Sequence, residues 1–305
     1  MPSSEKIRVV IYGVHSPDWM SALGPDAPVW QTLSGVVETA IVADEPGGRI
    51  GPPREAGTRT VVIPLMEPHT RHCPRTYDTL IPDPRTVGIF ADKCEFLSYI
   101  RANDLAHLCP VHFAMASEAR FPCVVKRSDL NSGIGIAVAH DQEQLKAILK
   151  SPMWSGHGVL LQALTPGVTE CVTHCVCKSG RIIWHKTFAY DLESPDAIRG
   201  PAHQYAIRSI PTDQAALSAF AAILQPCSYD GPCNIDYKLR ESGAVSVFEV
   251  NPRMGGSLMK PENLPYLHEI LACLLQNAER QPVSSRGLAA FIQAYTHWWT
   301  RTRSC

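Results

Sequence analysis

CNIDYKLRESGAVSVFEVNPRMGGS, residues 233–257, is the stretch on which both fold and chemistry turn. Asn234, Asp236 and Lys238 alternate with Ile235, Tyr237 and Leu239, and then Val245, Val247 and Glu249 alternate with Ser246, Phe248 and Val250. Alternation with period two marks strands with unlike faces. The four residues Arg240 to Gly243 join the runs as a hairpin. Pairing Leu239 with Ala244 sets Asp236 opposite Val247 and Asn234 opposite Glu249. Asp236, Glu249 and the following Asn251 then share a face, and a slip of one residue would part them. Two carboxylates and an amide oxygen make a hard-oxygen donor set suited to magnesium. The plain alternative is a solvated hairpin face. The apolar neighbours of Glu249 favour the metal, because an unpaired carboxylate among them is costly.

The segment ends in Asn251-Pro252-Arg253-Met254-Gly255-Gly256-Ser257. Pro252 cannot donate to a ladder, so the strand stops there. Arg253 offers a planar fork to phosphate or carboxylate, and the glycines let backbone approach an anion closely. An ordinary turn with a surface arginine is the alternative.

Upstream, CVVKR (123–127) leads into SDLNSG (128–133) and IGIAVAH (134–140). A lysine beside a loop of small polar residues reads as a phosphate cover, or else as a surface hairpin. Neither GxxxxGK[ST] nor GxGxxG occurs, which argues against a P-loop and a dinucleotide fold. Asp92 and Glu95 form a capping-box pattern for a helix beginning at Lys93, where the macrodipole disfavours a cation, so Lys93 is expected to have another partner. Asp141 is expected to cap a helix over QEQLKAILK. GVLLQAL (158–164), 170–177 and 181–190 read as strands, 191–206 as loop, and 213–224, 262–277 and 287–300 as helices. Before Lys93, IRVVIY (7–12), VVETAIVA (36–43) and TVVIPL (60–65) read as strands of a small α/β unit whose helices are obscured by frequent proline.

The 305 residues exceed one ordinary core and suggest two or three units. A net charge of -1 gives no surplus for nucleic-acid binding. The start lacks a long apolar signal core, and no run of about 18 apolar residues spans the sequence anywhere. The expectation is a cytoplasmic protein with no membrane or nucleic-acid partner. The 11 cysteines are odd in number and scattered, which suits reduced thiols. Cys171, Cys175 and Cys177 would share a strand face with Thr173, with His174 turned away, which favours a thiol-lined strand over a zinc site.

The ordered set, VVK with its Ser/Gly loop, LLQAL with Gly167 and Glu170, then NIDYKL and VFEVNPRMGGS, resembles the ATP-grasp superfamily over about residues 90–260. FEVNPRMGGS is the most specific piece and is similar to the metal-binding strand of carboxylate–amine ligases and of the carbamoyl-phosphate-synthetase-like branch. The resemblance implies an α/β (α+β) chain: a pre-ATP-grasp domain over 1–88, then an ATP-grasp domain over 89–305 with a lid at about 111–158. It implies that Lys93 and Lys126 contact ATP phosphates, with Ser132 and Gly133 in the lid loop above them. Gln162, Ala163 and Leu164 would hold the adenine edge, largely through backbone groups, and Glu170 the ribose. Asp236, Glu249 and Asn251 would hold magnesium, as two ions that manganese can replace. Arg253, with Lys126, would stabilise the transferring phosphate or the substrate carboxylate. Position 234 is asparagine where the D-alanine ligase branch has arginine, which leans the assignment away from that branch.

The implied reaction activates a small carboxylate as an acylphosphate that an amine then attacks, forming an amide or peptide bond and releasing ADP and phosphate. An ATP-grasp kinase and a nucleotide-binding regulator are the alternatives, and retention of Lys126, Asp236, Glu249 and Asn251 speaks against the regulator. His185, Lys186, Arg199, His203 and Arg208 are candidates for substrate selection or for surface charge. Trp298 and Trp299 would pack internally or in a homodimer.

Overall fold

The computed structural model describes residues 6–43, 45–51, 57–130, 134–200 and 205–280. The chain opens with β1 (Lys6–Tyr12), α1 (Pro17–Leu23), α2 (Pro28–Gln31), β2 (Val36–Val42), β3 (Thr58–Pro64), α3 (Glu67–Arg71) and β4 (Asp78–Thr79). β1 pairs in parallel with β2 on one side and β3 on the other. Proline does not break the helices of this unit. Pro17, Pro28 and Pro68 lie in the first two helical positions, where the missing N–H would have been unsatisfied and the fixed φ already suits the helix.

Next come α4 (Pro84–Ala91) and α5 (Lys93–Ala102). α4 went unread in the sequence. The Asp92 carboxylate accepts from the backbone N–H groups of Cys94 and Glu95 at 2.8 and 3.0 Å, capping α5 as expected. A smaller sheet follows, ordered β5-β8-β6-β7, from β5 (His112–Phe113), β6 (Cys123–Arg127), β7 (Ile136–Ala139) and β8 (Val159–Ala163). α6 (Gln142–Lys150) covers it. Asp141 caps Gln144 N–H at 2.8 Å, while Gln144 Oε1 accepts from His140 N–H at 2.9 Å.

The third sheet is antiparallel, ordered β11-β10-β9-β12-β13. Its strands are β9 (Thr169–Lys178), β10 (Arg181–Asp191), β11 (Ile207–Ile210), β12 (Gly231–Leu239) and β13 (Val245–Asn251), with α7 (Gln214–Leu224) between β11 and β12. β11 is a further element that the sequence did not reveal. α8 (Leu264–Asn277) then leads to β14 (Glu279–Arg280). β14 pairs antiparallel with β4, so the last described residues complete the first sheet. Arg59 on β3 donates to the carbonyls of Leu275 and Ala278 at 2.6 and 2.8 Å, fixing the end of α8 to that sheet. Among the described residues no helix is long and apolar enough to cross a membrane. The helix expected over 287–300, with Trp298 and Trp299, lies outside the described residues.

Candidate functional site

The β12–β13 hairpin differs from the expected register, and the difference builds the site. Leu239 pairs with Val245, Lys238 with Ser246 and Tyr237 with Val247; past a bulge, Asp236 pairs with Glu249, Ile235 with Val250 and Asn234 with Asn251. The turn is thus one residue longer than read, which alone would have turned Glu249 to the far face. The extra residue at the bulge, Phe248, restores the phase. Asp236 and Glu249 end up as direct cross-strand neighbours rather than diagonal ones.

Asn251 ties the group together. Its Nδ2 donates to Asp236 Oδ2 at 3.0 Å, Glu249 Oε1 at 3.1 Å and Asn234 Oδ1 at 3.2 Å. Arg199, from the loop after β10, donates through Nη2 to Asp236 Oδ1 and through Nε to Glu170 Oε1 at 2.7 Å. Its guanidinium lies 4.4 Å from the Tyr190 ring centroid. Burial lifts the Asp236 carboxyl to about 7 against the pull of Arg199, with Glu249 and Glu170 adding to the lift. Burial also acts against the charged form of Glu249, but Lys126 and the Asn251 amide hold it below the usual range. The two carboxyls thus differ, Asp236 drawn toward its neutral form and Glu249 held in its charged one.

Lys126 lies in β6 with its ammonium 5.4 Å from the Phe248 ring centroid. Burial lowers its pKa, opposed chiefly by Glu249 and Glu170. Lys93, at the first position of α5, donates to the Leu130 carbonyl in the loop after β6, which is the separate partner the macrodipole argument required. Ser132 and Gly133 lie outside the described residues. Glu170 is buried at the start of β9. Gln162 and Ala163 are in β8, and Leu164 follows. The N–H groups of Ala163 and Leu164 donate to Val111 and Pro122 at 2.7 and 3.3 Å, so these donors are committed within the protein. Gln162 Oε1 is buried with no hydrogen-bond partner.

A pocket of about 90 Å³ brings together Lys93, Lys126, Gln162, Ala163, Leu164, Glu170, Asp236 and Glu249. Asn251 lines an adjoining cavity. Arg253 stands apart: its Nε bonds to Glu67 Oε1 of α3 at 2.8 Å and its Nη1 to the Met254 carbonyl at 3.1 Å. Of the groups that sequence reasoning undervalued, Arg199 is the most central. No spacing signal marked it, because it reaches the site from an irregular loop.

Behind the site, His174 is fully buried, with Nε2 2.7 Å from Ser257 Oγ. Burial, then Arg199 and Arg253, depress its pKa to about 3, so the ring is neutral. Cys171, Cys175 and Cys177 point to the opposite face, in the arrangement read from the sequence.

Among the described residues no group of three or more His, Cys, Asp or Glu side chains is placed to hold an ion. Two carboxylates and an amide do suit magnesium, which keeps waters and shares oxygens with phosphates. The guanidinium drawn onto Asp236 and Glu170 shows that this face accommodates a cation. The donor chemistry fits the ion.

A mostly parallel sheet, a small antiparallel sheet and a larger antiparallel sheet carrying this acidic face define an ATP-grasp protein. A family model described as "D-ala D-ala ligase C-terminus" matches residues 86–257, and the chain belongs to that family. The lean away from the D-alanine ligase branch, drawn from Asn234, is therefore corrected. Asn234 binds the Arg253 carbonyl at 3.1 Å, and a guanidinium reaches Asp236 from Arg199 instead. No curated protein matches the sequence. Among solved structures, D-alanine–D-alanine ligase from Bacillus anthracis is similar at 12% identity and TM-score 0.59, over 90% of this chain and 97% of that one. L-amino acid ligase from Bacillus licheniformis is similar at 14% identity and TM-score 0.58, over 90% and 74%. Phosphoribosylamine–glycine ligase from Thermotoga maritima is similar at 15% identity and TM-score 0.63, over 91% and 77%. At these identities the likeness is one of fold.

Proposed function

We propose that this protein is a magnesium-dependent, ADP-forming ligase that joins a small carboxylate to an amine. The observation that carries the reading is the convergence of Asp236, Glu249 and Asn251 on one sheet face, with Lys126 against Glu249. Magnesium–ATP, when bound, supplies the phosphoryl group that activates the substrate carboxylate as an acylphosphate. The chain's own residues position and neutralise. Asp236, Glu249 and Asn251 would hold the metal, Lys93 and Lys126 the phosphates, Glu170 the ribose and Gln162 to Leu164 the base. Charge stabilisation by fixed cations in a site shielded from water is the main catalytic resource of such a site.

Arg253, paired to Glu67 of α3, would meet the substrate carboxylate or the transferring phosphate. The division into residues 1–88 and 89–305, with a lid over about 111–158, belongs to this proposal, as do a cytoplasmic location and a homodimer. The fold family supports the ligase over the kinase and the regulator, since the ligases named above share it.

ADP release measured with amino acids singly and in pairs, followed by product mass, tests the reading. Turnover that needs no amine would assign a kinase instead. Glu249→Gln is expected to abolish ADP release, and near-normal release in that variant would overturn the metal assignment.

A further inference from the structure

Beyond β13, the last strand of the antiparallel sheet, lies a cavity of about 410 Å³, bounded by α3, α4, α5 and the strands β6 and β8. Phe90, Phe96, Leu97, Ile100, Leu160 and Val247 form its apolar walls. It reaches Lys93, Lys126, Glu249 and Asn251, the groups placed above around phosphate and magnesium. It is distinct from the pocket of about 90 Å³ that contains Ala163, Leu164, Glu170 and Asp236. Lys93, Lys126, Gln162, Phe248 and Glu249 line both and so form a shared wall.

Its lining is two-sided: Glu67, Arg71, His72, Lys93, Lys126 and Glu249 supply charge along one part, and the apolar side chains of α4, α5 and β8 close the rest. Leu97 and Phe248 are only half-buried, so large apolar surface remains for a ligand to cover. A cavity of this size and lining is that of a site for a small organic molecule, with a few polar groups fixing its orientation. A methyl group would leave most of it void, and the walls would forfeit their dispersion contacts.

We propose that this chamber receives the apolar body of the carboxylic acid substrate, and that the acid is accordingly several times bulkier than alanine. The inference rests on the ligase reading for its reactive end. The carboxylate lies where the chamber meets Lys93, Lys126 and Asn251, and the apolar body extends toward Phe96 and Ile100. The bulge contributes directly, since Phe248 flanks the acid on one side and the nucleotide on the other.

The test is calorimetric binding to the full chain, with magnesium and a non-hydrolysable ATP analogue present. The probes are acetate, hexanoate and 3-phenylpropionate, together with alanine and phenylalanine. The bulky acids are expected to bind at least tenfold more tightly than acetate and alanine. Leu97→Trp, which fills the chamber, should remove that preference and leave the Kd of the analogue within about twofold. Leu97→Ala, which enlarges it, should move the optimum to a longer acid. Equal binding of large and small acids, or a preference unchanged in both variants, overturns the proposal. Equal weakening of the nucleotide analogue by Leu97→Trp also overturns it, by assigning the chamber to the base. ADP release with alanine-sized acids alone would sink the chamber assignment and spare the ligase reading. Preferential binding of bulky acids without ADP release would support the chamber and sink the ligase reading.

Discussion

On one face of the antiparallel sheet, Cys171, Cys175, Cys177, Cys233, Ile235 and Tyr237 pack against Phe220 and Ile223 of α7 and Phe96 and Ile100 of α5. On the other, at alternate positions of the same strands, stand Glu170, His174, Asn234, Asp236 and Lys238, all buried. Both faces are removed from water, but different physics holds them there. The first gains from leaving water, roughly 25 cal/mol per Å² of apolar surface, and burial simply keeps its thiols protonated, lifting Cys171 to about 11. The second loses hydration and recovers it through mutual pairing, with Arg199 bridging two carboxylates and Asn251 serving three acceptors. An apolar face needs only shape. A charged one needs every partner in place, and a fold that retains it does so for chemistry.

The contrast is broken most directly at Asp236. Asp236→Asn is expected to reduce turnover about a thousandfold, equivalent to ~4 kcal/mol, with little change in melting temperature. A carboxyl already lifted by burial loses little stability on becoming an uncharged amide. Thermal unfolding beside steady-state ADP release checks this, and a large drop in melting temperature would put Asp236 with the structural face.

The pH dependence of stability sharpens the same contrast through His174. Unfolded His174 takes up a proton below about 6.5, whereas the folded ring refuses it until about 3. Its contribution is complete above the unfolded value and falls away as pH drops toward the folded one, by up to ~5 kcal/mol. Urea titrations across that range should show His174→Phe with a shallower acid dependence. Identical slopes for both proteins would contradict the neutral buried ring.

On the apolar face, Ile235→Ala should cost ~3 kcal/mol by leaving a cavity, with kcat per folded molecule within about twofold. Loss of kcat beyond the loss of folded protein would mean that the two faces are coupled. The smallest effect lies outside this sheet: Asp141→Ala beside the smaller sheet should cost ~1 kcal/mol through loss of the α6 cap, read as a shift in urea midpoint. No shift would remove Asp141 as a cap.

Local rules made much of this legible from sequence. Asp92 and Asp141 announced their helices because a carboxylate at an N-cap satisfies donors a few residues away. The alternation in 233–239 assigned the faces of β12, whereas that in 244–250 grouped Val245 and Val247 with Glu249, and the bulge turns them to the apolar face instead. The misses share a cause. The register in 233–251 required knowing that Phe248 is an extra residue in the ladder, and a bulge is decided by what packs on it. Arg199 was readable as a charged loop residue but not as the partner of Glu170 and Asp236, which are 29 and 37 residues from it. Arg253 was read for substrate or phosphate, whereas its partner Glu67 is 186 residues away in helix α3. α4 opens on Pro84 at its first turn and lay among the frequent prolines that obscured helices there, although proline at that position starts a helix.

The pairing of β14 with β4 bears on how the molecule is made. During synthesis the β1–β4 segment leaves the ribosome long before Glu279 and Arg280, so the outer edge of β4 gains its neighbour late, and Arg59, paired within the segment to Asp78, adds the α8 carbonyls only then. A sheet begun by early strands and extended by a late one makes its outermost pairing dependent on the folding of everything between them.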